Sequence, residues 1–443
     1  MFRFQWQLNL SSTLIVGILV GCGGGDAPSP SGTVDSSSSS NTADTLSSST
    51  GQSTAEMPAG VVASIESPEK KAVIADAAKK LTGTEGSTPP DDEATRMLKE
   101  IQQLRIAPLP KEITDLEQAV KARRERNERI VEMAVQVLRL TMNDEARKPQ
   151  FHQAVGQLLE ARFQMALAGS KEDIDTLYED VKALNDRDPK SIAAAEGVYY
   201  LAKFSHTRAA QHGRTQPDWF ESMSRFAREF ADRFPEQTKR AVSLLFGAAR
   251  TCELQAMATS DAALATRLLT EGKLCYTTLA EKFPDSEQGQ EATGALRRLS
   301  LAGQKLAQFS GPTAEGGFVT SDEFPGKPTL IYFWDSESDE FTNDVLPVLS
   351  KVRAMLPSKD LRIVGVALDE DEAAMNTFME SRSVPGQQIF FPNAEQRSWN
   401  SPLVRFWGIA ESPSIWLVDA SGTVVSTTLK AAELEAEVGK LIK

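Results

Sequence analysis

Cysteine is scarce in this chain. Three occur in 443 residues, at Cys22, Cys252 and Cys275. No two of them form Cys-x-x-Cys, which removes the c-type haem and zinc-ribbon signatures. Histidine is equally scarce, at His152, His206 and His212. These ligands are too dispersed for a transition-metal site, so neither a metal nor a cofactor is expected. Positive charge is in deficit: 48 Lys and Arg stand against 61 Asp and Glu, for a formal charge of −13. That balance argues against general nucleic-acid binding. The one basic run, Lys121 to Arg126, is broken by Glu125 and reads as a solvated helix face. Long apolar runs are missing too. Thr13 to Val20 is short of the roughly 20 residues that span a bilayer.

What is present begins with an address. The Thr13–Val20 run fits the apolar region of a signal peptide, with Arg3 as its only preceding basic residue. It ends in Leu19-Val20-Gly21-Cys22, which resembles the lipobox of bacterial lipoproteins. That resemblance implies cleavage before Cys22 and acylation of its thiol. Residues 1–22 are then a lipoprotein signal peptide, and the chain is lipid-anchored to a bacterial membrane on its extracytoplasmic side. Each buried CH₂ of such an anchor contributes about 0.8 kcal/mol. Residues 23–91 follow as a low-complexity tether rich in Ser, Gly and Pro, including the serine run Ser36 to Ser40. Such composition buries too little surface to offset ordering entropy. A helix near Pro68–Leu81 is expected to dock loosely.

Residues 92–308 carry helical patterning and almost no strand patterning. Ile130, Met133, Val137 and Leu140 mark one apolar stripe between Leu109 and Leu140. A junction then recurs at intervals of about 40–50 residues: Pro149, Pro189, Pro235 and Pro284, each followed by polar residues. Proline here is expected to occupy the first turn of the next helix. Phe226, Phe230 and Phe234 match Cys275, Leu279 and Phe283 in their four-residue steps. The pattern implies an α-solenoid and loosely resembles tetratricopeptide-like repeats, which bind proteins. Cys252 and Cys275 lie on apolar stripes and read as core residues. Counted from a turn near Ser260, they are offset by roughly 10 Å along the helices, too far for a disulfide.

Residues 309–443 read as an α/β domain. Thr329–Trp334 and Arg362–Asp369 are apolar runs suited to buried parallel strands. Helices are expected after the first strand, over Glu372–Ser381 and from Ala431 to the end. Ser414–Asp419 and Thr423–Thr427 flank an Asp-Ala-Ser-Gly turn and read as a hairpin. The Phe333-Trp334 strand ending, the Ser412-Pro413 pair, the Asp419–Gly422 turn and Gly326-Lys327-Pro328 together resemble the thioredoxin-like (TlpA-like, redoxin) family. The resemblance implies a cis bond before Pro413, at the same end of the sheet as the redox site. Aligned from Phe333-Trp334, the family's two cysteines fall on Ser338 and Phe341. Pro347 comes one residue later than the family's helix proline, and that offset would move them to Asp339 and Thr342. None of the four is cysteine. Thiol exchange needs an attacking thiolate and a resolving thiol, so the site residues Ser338, Phe341, Ser412 and Pro413 read as vestigial and no catalytic residue is assigned. Ser338 suits an N-cap, with Asp335, Glu337, Asp339, Glu340 and Asp344 favouring the helix dipole.

The expected whole is multidomain: a helical-repeat region followed by a thioredoxin-like domain. The expected function is protein or peptide binding by a membrane-tethered lipoprotein. A thiol-disulfide oxidoreductase and a structural envelope spacer stay open as alternatives.

Overall fold

The computed structural model describes residues 90–442 other than 112 and 357–359. The signal peptide, the lipobox at Cys22, residues 23–89 of the tether and the Pro68–Leu81 segment lie outside the described residues, and residues 90 and 91, given to the tether, begin the first helix. Nine helices lead the described chain: α1 (Pro90–Ile106), α2 (Leu116–Thr141), α3 (Lys148–Ala168), α4 (Lys171–Arg187), α5 (Ile192–His212), α6 (Asp218–Arg233), α7 (Thr238–Ala258), α8 (Ala262–Lys282) and α9 (Glu287–Leu299). Neighbouring helices pack in sequence order, and α3 also meets α5 while α6 also meets α8. That stacking buries one continuous apolar core. Side-chain caps start most of these helices, with Asp115, Ser170, Ser191, Asp261 and Ser286 each accepting from backbone amides of the first turn.

The prolines act differently from the expectation. Only Pro149 lies in the first turn of a helix. Pro189, Pro235 and Pro284 sit in the turns, ahead of helices that start at Ile192, Thr238 and Glu287. A residue before proline avoids the α region, so these prolines end the preceding helix instead. Phe234 (φ −131°, ψ 53°) and Phe283 (φ −132°, ψ 48°) close α6 and α8 in nearly the same conformation. Both rings are buried, so the repeat noted in sequence is also one of backbone and packing.

The α/β part has strands β1 (Ser310–Pro312), β2 (Phe318–Thr320), β3 (Thr329–Trp334), β4 (Arg362–Ala367), β5 (Gln387–Ile389), β6 (Ser414–Val418) and β7 (Val424–Ser426). Helices α10 (Leu346–Met355), α11 (Glu372–Ser381), α12 (Pro402–Trp407) and α13 (Leu434–Leu441) surround them. The main sheet has the order β5-β4-β3-β6-β7. β3 pairs parallel with β4 and antiparallel with β6. This is a thioredoxin-like sheet. All six β3 residues are buried. Leu330, Tyr332 and Trp334 face one core, Ile331 and Phe333 the other. The β6–β7 turn is set by Asp419, whose Oδ1 accepts from Ser421 N at 2.8 Å and Thr423 N at 2.9 Å, while Gly422 takes φ 82°.

Both edges of this sheet are covered by the segment that leads into it. Gly303 and Leu306 donate to Val424 O (2.8 Å) and Gly422 O (2.9 Å), and Val424 N donates to Gln304 O (2.8 Å). At the far edge, Ala314 N donates to Gln388 O (2.8 Å) and Phe390 N to Pro312 O (3.0 Å). Residues 303–314 therefore pair first with β7 and then with β5.

Candidate functional site

The loops of interest meet because of strand register. β3 ends at Trp334, and its Phe333 pairs with Ser414, the first residue of β6. The segment after β3 and the segment before β6 are thus neighbours at one end of the sheet. Ser338, Phe341, Ser412 and Pro413 all belong to these two segments. The Ser412–Pro413 bond is cis.

Ser338 opens the helix that follows β3. Its Oγ accepts from Phe341 N at 3.1 Å, and its carbonyl from Thr342 N at 3.0 Å. The helix runs through a π-helical turn at Phe341–Val345 before α10. Such a turn holds one residue more than an α turn. The side chain of Phe341 points inward and is fully buried. It stacks on Trp334 (centroids 4.9 Å, 25° between planes) and Tyr332 (5.9 Å, 14°), and its ring lies 6.2 Å from Phe378. Beneath this stack is a buried polar chain. Tyr332 donates to Pro385 O (2.6 Å), Gln388 Nε2 donates to the Tyr332 hydroxyl (2.9 Å), and Trp334 Nε1 donates to Gln388 Oε1 (2.9 Å). Gly365 makes room for it, since a Cβ there would stand 1.9 Å from Gln388 Oε1. Gln388 was not legible as part of this site. The signal available was that Tyr332 and Trp334 alternate on one face of a buried strand, and buried Tyr and Trp tips need partners.

The rim of the site is acidic. Asp369, buried two residues past the end of β4, accepts from Ser336 N (3.1 Å) and from the Ser336 hydroxyl. Burial pushes its carboxyl above the usual range. Burial also raises Glu340, with Asp344 adding to it. Burial raises Glu411 although Arg250 opposes the shift, and both Glu253 and Glu340 repel its charge. Among the described residues no group of His, Cys, Asp or Glu is placed to hold a metal.

The loop ahead of Pro413 is held from the helical side. Arg250 of α7 donates to Ala410 O at 2.8 Å, and Arg298 of α9 donates to Gly408 O at 3.0 Å. Among the described residues, Glu411 and Ser412 make no backbone–backbone hydrogen bond. Cys252 and Cys275 are free thiols buried in the array. Cys252 lies beside Gly272, one turn from Cys275, closer in register than the count from Ser260 gave. Burial pushes the Cys275 thiol up to about 11 even though the Ser224 hydroxyl bonds to it, and burial raises Cys252 as well. Thiols held protonated in this way are poor nucleophiles.

Residues 302–427 match the AhpC/TSA family. The C-terminal part is therefore a redoxin domain. Similar solved structures include the thioredoxin domain of a thiol-disulfide oxidoreductase from Bacteroides vulgatus, at 23% identity and TM-score 0.29, covering 32% of this chain and 98% of that one. A putative thiol:disulfide interchange protein DsbE from Chlorobium tepidum gives 20% identity and TM-score 0.28, covering 32% and 98%. A secreted disulfide oxidoreductase from Mycobacterium tuberculosis gives 21% and 0.26, covering 30% and 96%. No curated protein matches the chain. Among the described residues no helix is long and apolar enough to cross a membrane.

Proposed function

We propose that this chain is an extracytoplasmic lipoprotein, anchored through acylated Cys22, whose redoxin domain performs no thiol chemistry and binds a protein segment. The observation that carries the reading is Phe341. A resolving cysteine has to bring its own sulfur to the mixed disulfide and displace the substrate thiolate, whereas Phe341 is a ring sealed between Tyr332 and Trp334. The π-helical turn supports aligning the family's cysteines with Ser338 and Phe341, because it absorbs the one-residue excess before Pro347. No cysteine occurs in residues 309–443, and the two in the array are buried.

Binding is favoured by what the backbone leaves open. Strand addition needs unpaired N–H and C=O groups on an extended stretch. Both sheet edges are covered by residues 303–314. Glu411 and Ser412, in the bend before β6, carry backbone groups outside the sheet's own pairing, and the acids around them suit a segment carrying positive charge. Two measurements on the full chain test the reading. Insulin-disulfide reduction should equal the protein-free rate; turnover above it would overturn the redox-vacant assignment. A photo-crosslinking residue at position 411 should capture polypeptide from intact envelopes, and the same residue at Glu437 should not. Equal capture at both positions, or none at 411, would remove the binding site.

A further inference from the structure

We propose that the helical array is a clamp on the redoxin domain, and that the backbone ahead of Pro413 holds its shape only while α7 and α9 are docked on it. The contact begins with missing side chains. Gly294 in α9 faces α12 and the residue after it, where a Cβ would lie 2.6 Å from Arg405 O and 2.7 Å from Gly408 N. Gly408 faces back, and its Cβ would lie 2.2 Å from Ala295 N. The two backbones therefore touch directly, with room only for glycine.

Three arginines then take the carbonyls of this loop. Arg297 donates to Phe406 O and lays its guanidinium 3.9 Å from the centroid of the Phe406 ring. Arg298 takes Gly408 O and Arg250 takes Ala410 O. Behind them Glu253 is 1% exposed. It meets Arg298 at 2.6 Å and Arg250 at 3.3 Å, and it accepts from the Tyr276 hydroxyl at 2.8 Å. One carboxylate thus orients two of the three guanidinium groups, those of Arg298 and Arg250. Glu253 draws its compensation from these two arginines and the Tyr276 hydroxyl, and an unpaired charge in such a place is strongly destabilising. The arrangement ties α7 and α9 to three alternate residues, Phe406, Gly408 and Ala410, directly before Glu411 and Ser412, while α8 braces Glu253 through Tyr276. It stands on contacts within the chain and holds whether or not a peptide occupies that backbone.

Gly294→Ala in the full chain tests the clamp by the sign of its effect. In a helix that made no such contact, alanine is the better residue and stability would rise. Against the clamp, the added Cβ meets backbone that cannot step aside. The expected result is a lower unfolding midpoint and amide exchange at Gly408 and Ile409 faster by about tenfold. Arg250→Gln removes one loop contact and leaves the Glu253–Arg298 pair intact. It should speed exchange at the same two amides by about tenfold and leave α2 to α4 as they were. A raised midpoint for Gly294→Ala, or unchanged Gly408 and Ile409 amides in either variant, overturns the proposal. Crosslinking at position 411 in the unaltered chain reads partner binding separately, so the two ideas fail independently.

Discussion

Replacing Phe341 by alanine is the most direct test of what that ring does. The side chain is fully buried against Tyr332, Trp334 and Phe378, with its closest ring 4.9 Å away between centroids. Truncating a buried phenylalanine removes its transfer free energy and leaves a cavity, at a combined cost of about 3–5 kcal/mol. Lost stacking accounts for about 0.5–1.5 kcal/mol of that. The cavity would open onto the Trp334–Gln388–Tyr332 chain, where relaxation is limited by hydrogen bonds on both sides. For a domain of this size, with a urea dependence of about 2–3 kcal/mol per M, the midpoint should fall by about 1.5 M. Urea unfolding of the full chain, followed through Trp334, Trp407 and Trp416, measures it. Phe341→Leu should retain most of the stability, losing less than about 1.5 kcal/mol. A Phe341→Ala midpoint within about 0.3 M of the original, a loss below about 1 kcal/mol, would refute the claim that this ring has become a structural part of the core.

Two further outcomes are expected. Cys22→Ala should leave the chain unprocessed or release it from membranes, as read by fractionation and mass spectrometry; an intact Met1 or an unmodified Cys22 in membrane-bound protein would sink the anchor. Glu253 supplies a pH dependence with a definite sign. Burial pushes its carboxyl up, but Arg298, Arg250 and the Tyr276 hydroxyl outweigh burial and hold it below its ordinary value. A depressed carboxylate contributes stability that is present above its unfolded pKa of about 4.3 and is lost as pH falls through its folded value. The stability gap between the original chain and Glu253→Gln should therefore be full at neutral pH and close on acidification below about pH 4. A gap independent of pH would show that Glu253 acts by shape and not by charge.

How much of this was legible in the sequence depended on range. Strands β3, β4 and β6 are continuous apolar runs, and the Asp419–Gly422 turn is a local backbone requirement, so each could be read from neighbours in the chain. The Phe234 and Phe283 junctions were legible for the same reason, although the prolines were given to the wrong helix. β5 was not. It is three residues long and its buried centre is Gln388, a polar residue whose only reason to be inside is the pair of rings on β3. The array-to-domain contact was equally hidden. Arg250, Glu253 and Arg298 read as ordinary charges on helices, and their partners lie 110 and 160 residues away for the loop contacts. Glu253 did interrupt the Leu245–Ala249–Cys252–Ala256 stripe beside it, which was a local sign of a charge turned inward.

The strip of chain from Gly303 to Ala314 limits how the molecule can be dissected. It supplies the last partner for strands at opposite margins of the sheet, so a cut at residue 309 leaves β7 with unpaired groups at Gly422 and Val424. A fragment begun there would offer its own copies a free edge, the arrangement that drives strand-to-strand self-association. Leu301 is buried in the sheet's own core, which moves the workable cut upstream of it, into α9. That helix is also the one that seats Gly294 against Gly408. The catalytic-looking half of the chain thus has no clean point of separation from the helical half, and solubility of a shortened form will be decided by residues that carry no chemistry.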